Sequence, residues 1–412
     1  MTNTAPVRVR RLPRRLARGL LPGHQLVLLQ NGAALFPALV AAMDAARSVI
    51  HLETYIFQFA GDALRVAEAL ERAAQRGVTV RLVVDAIGTP QLPPEWVQRF
   101  AAAGVRWRVY APLGQLGLLL PSRWRRLHRK LCVVDGVLGF CGGINLIDDC
   151  DDVALGRLQA PRLDFSLQVA GPLVADMVDT MEQLWWRMQA VHEVRQRDFR
   201  AAWRAVQAMH PVHDAPMPTL PGVQGARAAL LLRDNLRHRH DIERAYLKAI
   251  GEARHDIIIA NAYFIPGRRL RRALLLAVQR GVQVRLLLHG RYEHFFQYRA
   301  ARPVYQTLLA GGVEIYEYAP SALHAKVAVL DRRWATVGST NLDPLSLLLA
   351  REANVVTTDT RFATLLHDCL DQLLTHSGTP LHTHQRPWYQ RLLDRLAFGL
   401  MRVVLFITGH RY

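Results

Sequence analysis

The apolar positions along this chain follow two periods in turn. Ala63 to Ala74 and Leu270 to Val278 carry apolar residues at helical spacing, and each run leads into a short buried-strand pattern. The strand phrases are nearly the same phrase: Arg76-Gly77-Val78-Thr79-Val80-Arg81-Leu82 recurs as Arg280-Gly281-Val282-Gln283-Val284-Arg285-Leu286. Upstream, Leu52-Glu53-Thr54-Tyr55-Ile56-Phe57 has its counterpart in Ile259-Ala260-Asn261-Ala262-Tyr263-Phe264, and downstream Ala103-Gly104-Val105 matches Gly311-Gly312-Val313. Each half therefore reads as helix, strand, helix, strand and then a hairpin. Alternating helices and buried strands predict an α/β fold, a sandwich with a central sheet in each half. A duplicated unit behaves as a fused dimer, so a pseudo-two-fold axis should relate the halves and the functional site should lie at their interface.

The periodicity lapses in three places, which sets the expected boundaries. Residues 1–22 hold Arg8, Arg10, Arg11, Arg14, Arg15 and Arg18 without an acid, and Leu12, Leu16 and Leu20 recur at helical spacing. This is the pattern of a basic amphipathic arm for an anionic membrane surface. Residues 195–225 contain Pro211, Pro216, Pro218 and Pro221 and read as a linker between a first half (23–194) and a second (226–375). Residues 376–412 form an apolar tail, expected at the membrane interface because Leu392 to Thr408 is too short and too interrupted by Asp394, Arg395 and Arg402 to cross a bilayer. No longer apolar run and no signal peptide are read from the chain, so cytoplasmic residence is expected.

Half of the residues are hydrophobic, which argues against disorder. Lys and Arg number 52 against 34 Asp and Glu, a net charge of +18 that calls for a polyanionic partner. Charge alone does not choose between nucleic acid and an anionic membrane. Cys132, Cys141, Cys150 and Cys369 match no zinc spacing and read as free thiols in a reducing compartment.

The chemistry is carried by one phrase written twice, His128-x-Lys130-x4-Asp135 and His324-x-Lys326-x4-Asp331. Each copy is followed by a small-residue turn ending in Asn, at Asn145 and Asn341, and both the His and the Asn pairs are 196 positions apart (324 − 128 and 341 − 145). Histidine is nucleophilic and exchanges protons near neutral pH, so two facing rings can divide attack and protonation between them. Lys130, Lys326, Asn145 and Asn341 supply charge and hydrogen bonds for an anionic centre, which points to phosphoryl chemistry with neither metal nor cofactor. Strand alternation sends His128 and Lys130 to one side, as it does His324 and Lys326. Asp135 and Asp331 belong to the repeated phrase and so join the catalytic candidates, yet the hairpin geometry favours a turn-holding role for them. The acidic group Asp148, Asp149, Asp151 and Asp152 has metal-ligand density but reads more simply as a solvated loop. An apolar stretch from Leu113 to Pro121 precedes the first motif and suits acyl chains, with Arg123, Arg125, Arg126 and Arg129 placed to meet headgroup phosphates.

These motifs resemble the phospholipase D superfamily, whose signature is the duplicated His-x-Lys-x4-Asp with a downstream Gly-Gly/Ser-x-Asn turn. Gly142-Gly143-Ile144-Asn145, the stretch Gly338 to Ser346, and Asn31-Gly32 with Phe36-Pro37 and Glu53 to Phe57 are similar to bacterial cardiolipin synthases, in the shorter branch without N-terminal membrane helices. The resemblance covers nearly the whole chain. It implies a covalent phosphohistidine, with the attack leaning to His128, and an orienting carboxylate for each ring. Glu352, 28 residues after His324, is expected to serve that ring, and Asp164, 36 residues after His128, the other. The implied reaction joins two phosphatidylglycerols into cardiolipin and glycerol at the cytoplasmic face of the bacterial inner membrane. Phospholipase D hydrolysis or headgroup exchange is the alternative, and a nuclease a more distant one. No nucleic-acid partner is expected, because base-stacking aromatics do not cluster with the basic runs.

Overall fold

A computed structural model describes residues 19–112, 125–153, 156–195, 218–234, 237–290, 295–382 and 387–407. The first half contributes strands Leu21–Gln30 (β1), Val49–Thr54 (β2), Thr79–Asp85 (β3), Arg106–Tyr110 (β4), Arg126–Leu127 (β5), Lys130–Val134 (β6), Leu138–Gly142 (β7), Asp151–Asp152 (β8), Gly156–Arg157 (β9) and Phe165–Ala170 (β10). The second contributes Val223–Arg233 (β11), Asp256–Asn261 (β12), Gln283–His289 (β13), Glu314–Tyr318 (β14), Lys326–Leu330 (β15), Trp334–Gly338 (β16), Ala350–Thr357 (β17) and Gly378–Pro380 (β18).

The two sheets expected from the sequence are one. A 16-stranded sheet runs β18-β14-β13-β12-β15-β16-β17-β11-β1-β10-β7-β6-β2-β3-β4, with β5 joined to β17 off this path. Apart from the added edge strand β18, the order is a palindrome about the β11-β1 seam, so the halves are topological copies. They fuse because β1 and β11 pair antiparallel, Leu21 opposite Ala228 and Leu26 opposite Val223. An edge strand meeting its own counterpart across a two-fold satisfies both rows of backbone groups and removes two exposed edges. One apolar cluster accordingly spans the seam, taking Leu26, Leu131 and Leu167 from the first half and Ala228, Val327 and Val355 from the second.

Within each half β2, β3 and β4, like β12, β13 and β14, are parallel, whereas β6 and β15 run against β2 and β12. The carboxyl ends of the parallel strands thus share one edge of the sheet with the starts of β6 and β15. That edge is where an open α/β sheet binds its ligands. The hairpin β6-β7 turns through Asp135 (φ 51°) and Gly136 (φ 71°), and β15-β16 through Asp331 (φ 50°) and Arg332 (φ 52°). Aspartate tolerates this left-handed region, which explains its place in both copies of the phrase.

The C-terminal segment does more than the tail expected of it. β18 extends the sheet on β14. The helix Trp388–Ile407 lays Ala397 and Phe398 on the second half's core, and its buried Asp394 holds Arg299 at 3.1 Å. Its other face exposes Tyr389, Leu392, Leu393, Leu396 and Leu400. Among the described residues no helix is long and apolar enough to cross a membrane. The basic arm over residues 1–18, the linker core at 196–217 and the apolar stretch from Leu113 to Pro121 lie outside the described residues. Next to these stretches β1 begins at Leu21 and β11 at Val223.

Candidate active site

Each motif strand begins with its lysine, so the histidine two residues earlier lies just off the sheet edge. Lys130 Nζ donates to the His128 carbonyl at 2.7 Å, and Lys326 makes the same bond to the His324 carbonyl. These bonds fold each lysine back toward its own histidine. The halves then exchange carboxylates: His128 Nδ1 lies 3.0 Å from Glu352 of the second half, and His324 Nδ1 lies 2.6 Å from Asp164 of the first. The expected pairing of each ring with the carboxylate of its own half is therefore corrected. The cause is the topology, because β5 pairs in parallel with the start of β17 and the His128 N–H donates to the Arg351 carbonyl at 3.0 Å. Leu163 bridges to Leu323 in the same way, and His324 N–H donates to the Leu163 carbonyl at 2.8 Å.

With Nδ1–H donating to a carboxylate, a neutral ring keeps its Nε2 lone pair available, the tautomer that nucleophilic or base catalysis needs. The carboxylates are themselves held. Ser339 Oγ donates to Glu352, and Asp164 accepts from the Phe165 N–H at 2.7 Å. Asn31, at φ 63°, clamps the Asp164 backbone from both sides, its N–H donating to the Asp164 carbonyl at 2.9 Å and its Oδ1 accepting from the Asp164 N–H at 3.1 Å. Gly143 is required beside Asp164, since a Cβ there would sit 2.4 Å from a carboxylate oxygen. Sequence reasoning missed Asn31 and Ser339 as braces; the Ser at the second position of one Gly-x-x-Asn turn against Gly in the other was the available signal.

Burial sets the electrostatics. Desolvation, then the neighbouring Lys326, pulls Lys130 down to about 7. Desolvation also lowers His128, where the charge of Glu352 opposes it, and lowers His324 further, where the charges of Lys326, Lys130 and Arg162 all add to the burial. Burial raises Asp164 to about 6, against the pull of Lys326. A site in which burial disfavours every charge and two lysines crowd each other is one that gains by admitting an anion. Asn145 and Asn341 are both buried. Asn145 Oδ1 accepts from the Ile56 N–H at 3.3 Å, whereas Asn341 Oδ1 finds no donor among the described residues.

Asp135 and Asp331 are not brought to the histidines. The Asp135 carboxylate accepts from the backbone N–H groups of Arg47, Ser48 and Val49 at 2.8 to 3.0 Å, and Asp331 does the same for Arg254, His255 and Asp256 at 2.7 to 2.9 Å. They pin the entry to β2 and β12 at the far end of each hairpin, and their place among the catalytic candidates is withdrawn. The acidic group is engaged too: Asp149 accepts from the Gly32 and Ala33 N–H groups, while Asp151 and Asp152 pair with Arg157 and Arg162. Arg129 does not meet headgroups. Alternation turns it inward, where it is 3% exposed and paired with Glu53. The four cysteines are free, with Cys132 and Cys141 buried.

Comparison with known proteins places this geometry. The family model described as "Cardiolipin synthase, PLD-like domain" matches residues 39–149 and 246–374, one match to each half. Cardiolipin synthase B of Salmonella typhi is 37% identical over 394 residues, covering 95% of this chain and 91% of that protein. Cardiolipin synthase B of Escherichia coli (strain K12) is 37% identical over 391 residues, covering 94% and 90%. Among solved structures, phosphatidylserine synthase of Haemophilus influenzae Rd KW20 shares the fold with a TM-score of 0.64 at 11% identity, covering 94% of this chain and 96% of that one.

Proposed function

Because the chain belongs to the phospholipase D-like cardiolipin synthases, we propose that it transfers a phosphatidyl group from one phosphatidylglycerol to the terminal hydroxyl of another, giving cardiolipin and glycerol. The observation that carries this reading is the pair of crossed couples, His128 with Glu352 and His324 with Asp164, flanked by Lys130 and Lys326. One histidine attacks phosphorus through Nε2. The P–O bond to glycerol breaks, and the departing oxygen takes a proton from the other ring. The acceptor hydroxyl then gives its proton to that ring and attacks phosphorus, the P–N bond breaks, and the first histidine is restored. Lys130, Lys326, Asn145 and Asn341 hold the phosphate oxygens through both displacements. The anionic phosphate adds a field that favours the protonated ring, so the acid can hold its proton once substrate is bound.

The family resemblance gives the attack to His128. A second reading is favoured by the different fields at the two rings: His324 is held further from protonation, and Glu352 favours a proton on His128. In that reading His324 attacks and His128 is the acid and base. The chain works peripherally at an anionic inner-membrane surface, which fits its charge of +18 and the exposed leucines of helix Trp388–Ile407.

The test is incubation of the full chain with phosphatidylglycerol vesicles and analysis of the lipid products. Cardiolipin and glycerol are expected, and His128→Ala and His324→Ala should each lower the rate by about 10²–10⁴-fold with folding intact by circular dichroism. Phosphatidic acid as the main product would replace the synthase with a hydrolase. DNA cleavage without lipid turnover would remove lipid chemistry.

A further inference from the structure

The pseudo-symmetry pairs residues across the site, and the pairs differ in charge. Arg126, two residues before His128, corresponds to Ala322, two before His324. Arg351, next to Glu352, corresponds to Leu163, next to Asp164, and each bridges to the residue preceding a motif histidine. Ala322 and Leu163 are buried apolar residues. At the ends of β3 and β13 the exchange is Asp85 for His289, which accept from the Leu127 N–H at 2.7 Å and the Leu323 N–H at 3.0 Å. The wall beside His128 therefore carries two arginines where the other carries Ala322 and Leu163, and Arg162, the arginine acting on His324 from that side, is paired with Asp152 at 2.8 Å.

The cationic wall gathers further arginines. Arg187, from helix Leu173–Arg195, lies close enough to Arg351 and Arg237 for their charges to be the leading electrostatic influences on it after burial. Arg351 is steered over Tyr110, with Nε donating to the hydroxyl at 3.0 Å and the guanidinium 5.8 Å from the ring centre. Arg126 acts on both Asp85 and Tyr55, and the Tyr55 ring meets the His128 ring edge-on at 5.1 Å. The carboxylate of Asp234 acts on Arg187 alongside these guanidiniums, and like charges in excess of their counter-ion at a partly buried surface repel unless a further anion lies among them. Arginine's planar fork fits a phosphodiester. The buried Asn341 Oδ1, without a donor among the described residues, can accept from an alcohol hydroxyl.

We propose that the wall formed by Arg126, Arg187, Arg237 and Arg351 binds the phosphodiester of the acceptor phosphatidylglycerol, while the donor's phosphate lies between His128 and His324. The inference rests on the transferase reading above. The acceptor of that reaction carries its own phosphate one glycerol away from the attacking hydroxyl, and the fixed charges beside His128 can recognise it. Displacement at phosphorus is in line, so an acceptor held on this wall is deprotonated by His128. The phosphatidyl adduct then forms on His324, in keeping with the stronger suppression of protonation there.

The test offers two acceptors at once. Phosphatidylglycerol vesicles are incubated with the full chain in the presence of ethanol, an acceptor without a phosphate, and cardiolipin is measured against phosphatidylethanol. For Arg187→Gln and for Arg187→Gln with Arg351→Gln the ratio should fall about tenfold or more, the range expected for loss of hydrogen bonds to a charged group. Arg187→Lys, which keeps the charge, should recover part of it. Acid quenching with labelled lipid should map the adduct to His324. A proportional fall in both products, an unchanged ratio, or an adduct on His128 would overturn the proposal. A wild-type enzyme that makes neither product would instead overturn the transferase reading. Arg187 is exposed, so its single variant tests the idea even if the Arg351 variant does not fold.

Discussion

The two halves are copies in backbone and in the groups that face the reacting phosphate, and they differ almost everywhere one layer out. Glu352 braced by Ser339 stands opposite Asp164 beside Gly143. The buried pair of Arg129, just before β6, with Glu53 on β2 corresponds to Ala325, just before β15, and Ala260 on β12, both fully buried. Duplication alone would have left two equivalent walls. A two-fold site that processes two lipids in different roles has reason to keep His, Lys and Asn fixed and let their supports diverge. The comparison therefore separates residues tied to chemistry from residues tied to one side of it.

The largest effects should come from breaking the crossed couples. Asp164→Asn and Glu352→Gln each remove the charge that orients a ring and leave its shape, and each should cost about 10²–10⁴-fold in kcat. The halves then become distinguishable by pH. Asp164, raised to about 6 by burial, must be ionised to hold His324, so kcat/KM falls as pH drops through that value. Lys130, lowered to about 7, must be protonated to hold phosphate, so kcat/KM falls again as pH rises past it. The wild-type profile should be a narrow bell. Asp164→Asn should lose the acid limb; retention of that limb would assign it to another group.

Next comes the buried ion pair, for which the second half supplies a natural control. Glu53→Ala leaves Arg129 buried without its carboxylate and should cost about 3–5 kcal/mol in chemical unfolding. Arg129→Ala combined with Glu53→Ala recreates the Ala325 and Ala260 arrangement and should cost less than the single change, despite the larger volume removed. A double variant less stable than Glu53→Ala would mean that packing against helix Leu173–Arg195, where Arg129 also donates to the Thr180 carbonyl at 3.3 Å, outweighs the charge.

Much of this was legible in the chain itself, because an exact spacing repeated twice survives any uncertainty in element boundaries. The α/β alternation, the duplication and the six His, Lys and Asn positions follow from reading residues against each other, and the two carboxylate positions from the family resemblance. What the sequence hid was the exchange of carboxylates. Separations of 28 and 36 residues favour partners within a half, and only the meeting of β5 with β17 and of Leu163 with Leu323 carries each carboxylate across. The fusion into one sheet was hidden for the same reason, since nothing local in Leu21–Gln30 marks its partner as Val223–Arg233. The C-terminal helix was half legible: Leu392, Leu393, Leu396 and Leu400 do form an exposed apolar stripe, but Asp394, Ala397 and Phe398 anchor the opposite face on the core.

The smallest effects should fall on the turn aspartates, where the halves agree and the motif itself misleads. Asp135 and Asp331 each gather three backbone N–H groups at the start of a central strand, and burial is outweighed by those bonds, so both stay below the usual carboxylate range. Asp135→Asn and Asp331→Asn keep one acceptor oxygen and lose the charge, which should lower unfolding free energy by about 1–3 kcal/mol in either half. Their kcat should stay near wild type below the unfolding range, because the bonds they lose lie at the opposite end of the hairpin from His128 and His324. A thousandfold loss of kcat in a variant that still unfolds cooperatively near the wild-type midpoint would return these residues to the chemistry. Equal stability costs in the two halves would show that the hairpins are equivalent supports, and that the functional difference between the halves begins only at the sheet edge.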